Sequence, residues 1–143
     1  MKKTLKQVSL ILLALLLSVL LIACNGVEKT GLWEHATYTK DTELGTGAKT
    51  IEVEVKAEDQ SITFTIHTNA DSLATALKEH NLNDGTVGAY GLMVETVNGM
   101  TVKFSDGGYW WGVTKDGKAT SAIEIVFISD GEHYELTRTN TYG

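Results

Sequence analysis

The residues of this chain best suited to recognition chemistry are the aromatic run Tyr109-Trp110-Trp111. Aromatic side chains offer a large contact area with few torsions to freeze, which is why they anchor many interfaces and ligand sites. Successive residues of a strand point to opposite faces, so Trp110 is expected to enter the core. Tyr109 and Trp111 then share the other face, open to a flat ligand or to a partner's side chains. In the competing reading the second face is covered and all three are core. Tyr90 is a further candidate of the same kind, as is Trp33, with core packing the stronger alternative for both.

Other chemistry is thinly represented. His35, His67, His80 and His133 are far apart in sequence and read as scattered strand or surface residues, so no metal site is assigned. Asp84-Gly85, Asp106-Gly107, Asp116-Gly117 and Asp130-Gly131 lack the spaced ligands and terminal Glu of a calcium loop, and they read as turns. Glu52 with Glu54 reads as a solvated strand face. No nucleophile elbow, phosphate-binding glycine loop or H-E-x-x-H pair occurs, and an enzyme is not expected.

Cys24 is the remaining reactive group. Lys2, Lys3 and Lys6 precede an apolar run over residues 10–23, too short for the roughly 20 residues of a bilayer span. This is the order of a secretory signal peptide, and Leu21-Ile22-Ala23-Cys24 resembles a bacterial lipobox. The expected outcome is cleavage before Cys24 and lipidation of its thiol, which anchors the protein on the extracytoplasmic face of the cell membrane. Several acyl chains hold a protein durably where one does not. Asn25 rather than Asp after the cysteine favours a one-membrane bacterium. Residues 1–23 are therefore assigned to the signal, 24–31 to a lipidated spacer and 32–143 to one domain.

The 143-residue chain carries a formal charge of −6, and losing three lysines with the signal leaves the mature chain at −9. That balance argues against nucleic acid as a partner. A single cysteine excludes an internal disulfide and a cysteine-based zinc cluster.

The elements that must position these residues are mainly strands. Residues 50–56 and 62–67 alternate apolar and polar side chains around a polar break at 57–60, which predicts a hairpin. Residues 69–72 offer N-caps to a helix of about three turns ending near His80, and Asn83-Asp84-Gly85 is a turn that stops it. Asn98-Gly99 joins strands at 92–97 and 100–104 by a two-residue turn. Strands at 109–114 and 119–128 flank Lys115-Asp116-Gly117-Lys118, and residues 129–132 turn the chain into a last strand near 133–138. Both faces of 123–128 are largely apolar, which implies a strand covered on both sides.

The ordered pieces Leu32-Trp33-Glu34-His35-Ala36-Thr37-Tyr38, Glu43-Leu44-Gly45-Thr46-Gly47-Ala48, Ile66-His67-Thr68, Ala76-Leu77, Tyr90-Gly91-Leu92, Glu95-Thr96-Val97-Asn98-Gly99 and Tyr109-Trp110 resemble one family over about residues 32–138. It is the domain of unknown function that is similar to the C-terminal domain of transcobalamin and intrinsic factor. The resemblance implies an α+β, β-grasp-like domain, in agreement with the six or seven mostly antiparallel strands and one helix read from the residues. Its animal relatives use this domain as one of two that close over cobalamin. The expectation is therefore a lipid-anchored binding domain that requires no cofactor and captures a corrinoid or other small ligand for a membrane transporter or surface partner. The alternative is a protein or cell-wall interaction module without a small-molecule ligand. A corrinoid is large beside the core of so small a domain, so a single copy offers one wall of a site.

Overall fold

The computed structural model describes residues 26–141, and the leader and Cys24 lie outside them. It is an α+β domain, mostly sheet. Strands β1 (Thr42–Gly45), β2 (Lys49–Ala57), β3 (Gln60–Thr68), β4 (Asn83–Gly88), β5 (Gly91–Val97), β6 (Met100–Thr101), β7 (Trp110–Lys115), β8 (Lys118–Ala119) and β9 (His133–Thr139) accompany one α-helix, α1 (Leu73–Lys78). Six strands form a mixed sheet in the order β1-β3-β2-β9-β7-β8, and β4-β5-β6 form a second sheet of three.

The β2–β3 hairpin is the centre of the large sheet. Its register pairs Ile51 with Ile66, Val53 with Phe64 and Val55 with Ile62, so one apolar face results from the period-2 pattern of both strands. Glu58 and Asp59 take positive φ of 51° and 54° in the turn, as a two-residue hairpin connection of matching twist requires. β1 and β9 then add in parallel on either side. The inner face of this sheet, with Tyr134 and Leu136 of β9, packs against Leu73 and Leu77 of α1, Val97 and Met100 of the small sheet, and Ile123 in one core cluster. The outer face is polar. There Lys56 lies 3.3 Å from Glu54 and 3.1 Å from Glu135.

Several elements differ from expectation. α1 has six residues, under two turns, because Asn81 adopts φ 54° and the Leu82 N–H returns to the Leu77 carbonyl, closing the helix. Ser72 is its N-cap, accepting from the Thr75 N–H at 3.3 Å. Residues 83–88, read as a turn region, form strand β4, with Asp84-Gly85 at a bulge against β5 rather than in a turn. Residues 123–128 are not a covered strand: they form a short 3₁₀ turn and then a strap across α1. Val126 O accepts from Leu73 N–H and Asp71 O from Ile128 N–H, while Ile123 and Ile128 are buried and Ile125 and Phe127 exposed. Residues 26–30, assigned to a spacer, pair with the domain. Gly26 bridges to Lys40, Val27 N–H donates to Thr39 O at 2.7 Å, and Glu28 N–H donates to Gln60 Oε1 at 2.7 Å.

The start of β9 is fastened by Glu132. Its carboxylate accepts from Lys115 Nζ of β7, from the Tyr134 hydroxyl and, at 2.8 Å, from the Ser129 N–H. Burial alone would raise the Glu132 carboxyl, but these donors outweigh it and hold the group below its ordinary 4.5. Burial and the same carboxylate push the Tyr134 hydroxyl well up, so it stays protonated. Because the folded value of Glu132 is the lower one, its stabilisation is present above about pH 4.5 and is lost as pH falls through the folded value. Glu132→Gln is expected to lower the urea midpoint at neutral pH and to flatten its fall on acidification, measured at about pH 7 and about pH 3.

Candidate functional site

The aromatic strand places its side chains with the expected alternation but on the opposite faces. Trp111 is 5% exposed, part of the core, and its Nε1–H donates to the Glu95 carbonyl of β5 at 3.2 Å. Trp110 is half-buried on the other face, its ring 6.2 Å from that of Phe104. Tyr109 shares the inner side with Trp111 at the strand's beginning, half-buried, with the Arg138 guanidinium 3.7 Å above its ring. The physical reason is the second layer: β5 crosses β7 on the side that Trp111 faces, and its Glu95 carbonyl supplies the acceptor an indole needs when buried. Trp33 is core as well, donating from Nε1 to Ala57 O at 2.9 Å.

Tyr90 stands apart from these. It is 97% exposed at the tip of the β4–β5 hairpin, and Val87 at 76% and Met93 at 65%, one on each strand, project from opposite faces, since Val87 is paired with Leu92 and Met93 with Thr86. The strap abuts this hairpin. Glu124 Oε2 accepts the Leu92 N–H at 2.8 Å, and a Cβ on Gly91, whose φ is +100°, would meet the same oxygen at 2.5 Å and Ala122 Cβ at 3.4 Å. Glycine is therefore demanded at 91 both by the backbone and by the close approach of the strap. Ile125 and Phe127, the next outward-facing residues of the strap, are 62% and 75% exposed. Hairpin and strap thus meet at Glu124, whose carboxylate is already bonded, and each carries exposed apolar side chains.

Local patterning singles out Tyr90 but misses Val87, Met93, Ile125 and Phe127. The usable signal for the last two is the apolar run 122–128 itself, longer than the adjoining strand can pair. The best-formed depressions of the described surface lie elsewhere and are shallow and polar, one lined by Asp41, Glu43 and Glu52 with three threonines. His67 is engaged by Glu43 at 2.6 Å and by Thr50 at 2.9 Å. Among the described residues no three His, Cys, Asp or Glu side chains converge as metal ligands.

The chain is an α+β domain, mostly sheet, with exposed apolar side chains on a hairpin and a strap. Among solved structures, a "putative metal binding protein" from Ruminococcus gnavus ATCC 29149 is 34% identical, with TM-score 0.62, and the match covers 66% of this chain and 100% of that one. The chain belongs to the family of that protein. Haptocorrin in complex with Cbi shares the fold, with TM-score 0.53 at 11% identity over 69% of this chain and 27% of haptocorrin. No family model and no curated protein sequence matches the chain.

Proposed function

We propose that this protein is a binding domain, anchored on the outer face of the cell membrane by lipid on Cys24, whose hairpin and strap form one wall of a site for a large planar ligand of the corrinoid class. The observation that carries the reading is the exposure of two large aromatics, Tyr90 at 97% on the hairpin tip and Phe127 at 75% on the strap, on elements joined by the Glu124 bond to Leu92. A soluble domain rarely exposes clustered apolar side chains without a use for them. Two further facts support it. The fold is shared with a protein solved in complex with Cbi, and this chain matches 27% of that protein's length, as one wall of a larger enclosure would. Delivery to a membrane transporter or surface partner then follows from the anchor.

The openness of the surface favours a second reading, a protein-interaction face with no small ligand. Calorimetric titration of the mature domain with cobalamin and cobinamide separates the two. One wall desolvates a ligand on one side only, so the expected result is weak saturable binding, with Kd above about 1 μM. Tyr90→Ala and Phe127→Ala are expected to abolish the heat while changing stability by no more than about 0.5 kcal/mol, since both side chains are solvated. Absence of heat with folded protein ends the corrinoid reading in favour of a protein partner. A tight complex with one isolated copy contradicts the single wall.

A further inference from the structure

We propose that a second site lies where β9 outruns β2 and that it holds a small aminocarboxylic acid, with the carboxylate on the Arg138 guanidinium and the ammonium on the Asp59 carboxylate. The site uses neither the hairpin nor the lipid and stands independently of the reading above.

Strand register makes the notch. The last pair between β2 and β9 is Lys56 with Thr137, and β2 turns back through Glu58 and Asp59 into β3. β9 runs on to Thr139, paired with β7 alone. Arg138 and Thr139 therefore have no strand among the described residues on their β2 side. The depression left there has a volume of about 410 Å³ and is lined by residues 56–61 together with Thr137 and Arg138. Small-molecule sites span about 300–1,000 Å³, so this one suits a small ligand.

The charged side chains of the notch divide into those already engaged and those that are not. Lys56 is held by Glu54 at 3.3 Å and by Glu135 at 3.1 Å. Glu58 is turned to Leu32, whose N–H it accepts at 3.0 Å. Arg138 is the single arginine of a chain with 18 acidic side chains, yet its own side chain has no ion pair and no hydrogen bond with any described residue. Its guanidinium lies 3.7 Å from the centre of the Tyr109 ring instead. A guanidinium stacked through its face keeps the N–H fork at its edge for a carboxylate, and the stacking leaves less side-chain freedom to be lost on binding. Asp59 likewise has no partner among the described residues, nor do the Ser61 and Thr137 hydroxyls. One uncommitted cation and one uncommitted anion thus share a depression with two uncommitted hydroxyls. A plain anion entering it meets Asp59 and Glu58, and a plain cation meets Arg138. A ligand that carries both charges finds a partner for each.

The test is a nuclear magnetic resonance titration of the isotope-labelled full chain in nonionic detergent. The probes are glycine, β-alanine and γ-aminobutyrate, whose two charges stand progressively farther apart, with acetate and inorganic phosphate as plain anions. The expected result is saturable amide shifts confined to Thr137, Arg138 and residues 58–61 with the best-spaced aminocarboxylate, and binding of acetate weaker by about tenfold or more. Arg138→Lys keeps the charge but loses the fork, and it is expected to weaken the aminocarboxylate by about tenfold or more. Asp59→Asn sits at φ 54°, which asparagine tolerates, and is expected to bring the aminocarboxylate down to the level of acetate. An unchanged spectrum away from the notch verifies that each variant folds, and Asp59→Asn in an exposed turn carries the test if Arg138→Lys does not. Absence of saturable shifts at the notch with every aminocarboxylate overturns the proposal. So does acetate or phosphate binding as tightly as the best of them, or a folded Asp59→Asn that binds like the wild type. Tyr90→Ala is expected to leave these shifts unchanged, so failure here and failure of the corrinoid reading are distinguishable.

Discussion

Replacing Trp111 by alanine is expected to destabilise the domain by about 3–5 kcal/mol, the usual cost of truncating a large buried aromatic. The side chain is 5% exposed, and its loss also strips the Glu95 carbonyl of the indole donor at 3.2 Å. That bond ties the two sheets directly, so the small sheet and the hairpin it carries should loosen with it. The measurement is urea unfolding, in which the midpoint falls by a large fraction of its wild-type value. Trp111→Phe keeps most of the buried area and gives up the bond, and it should recover more than half of the loss. For the ligand question the consequence is direct: a Trp111 variant that fails to bind reports a loosened scaffold, whereas Tyr90 and Phe127 variants report the surface.

Asn98→Ala is expected to cost about 2–4 kcal/mol by a different route, through unsatisfied polar groups rather than a cavity. Asn98 is 0% exposed and has φ 51°, a left-handed conformation that asparagine tolerates better than alanine does. Its Oδ1 accepts from the Tyr38 N–H at 2.9 Å and its Nδ2 donates to the Tyr38 carbonyl at 2.8 Å, standing in for a strand partner. Tyr38 in turn sets its ring edge-on to Phe64, with centroids 5.5 Å apart. Asn98→Gly keeps the turn conformation and removes only the side-chain bonds, so the difference between the Gly and Ala variants isolates the backbone contribution. Both are measured by the same denaturant titration, and Asn98→Gly should be the milder.

The β2–β3 hairpin and the Asn98-Gly99 turn are legible in the residues alone because both rest on neighbours along the chain. Alternation over residues 50–56 and 62–67 specifies which side chains share a face, and a two-residue turn with positive φ follows from the residue types that tolerate it. Strand β4 escapes such a reading for the opposite reason. Asn83-Asp84-Gly85-Thr86-Val87-Gly88 has no alternation and is a strand only because β5 offers it backbone partners. In the 122–128 strap, Glu124 is drawn to the Leu92 N–H, which turns an apolar run away from the sheet and leaves Ile125 and Phe127 in solvent.

The aromatic strand marks the boundary between local and long-range information. Chain chemistry suffices to put Tyr109 and Trp111 on one side of β7 and Trp110 on the other, because the two-residue period of a strand is a local property of L-amino acids. Which side becomes core depends on a distant element, since β5 must arrive with the Glu95 carbonyl to satisfy the Trp111 indole. The same holds for the candidate surface. Tyr90 stands out in the residues as an aromatic beside glycine in a turn-rich stretch. The joining of its hairpin to the strap that carries Phe127, however, depends on two segments about thirty residues apart meeting at the Glu124 bond to Leu92, a contact that no local rule of side-chain spacing contains.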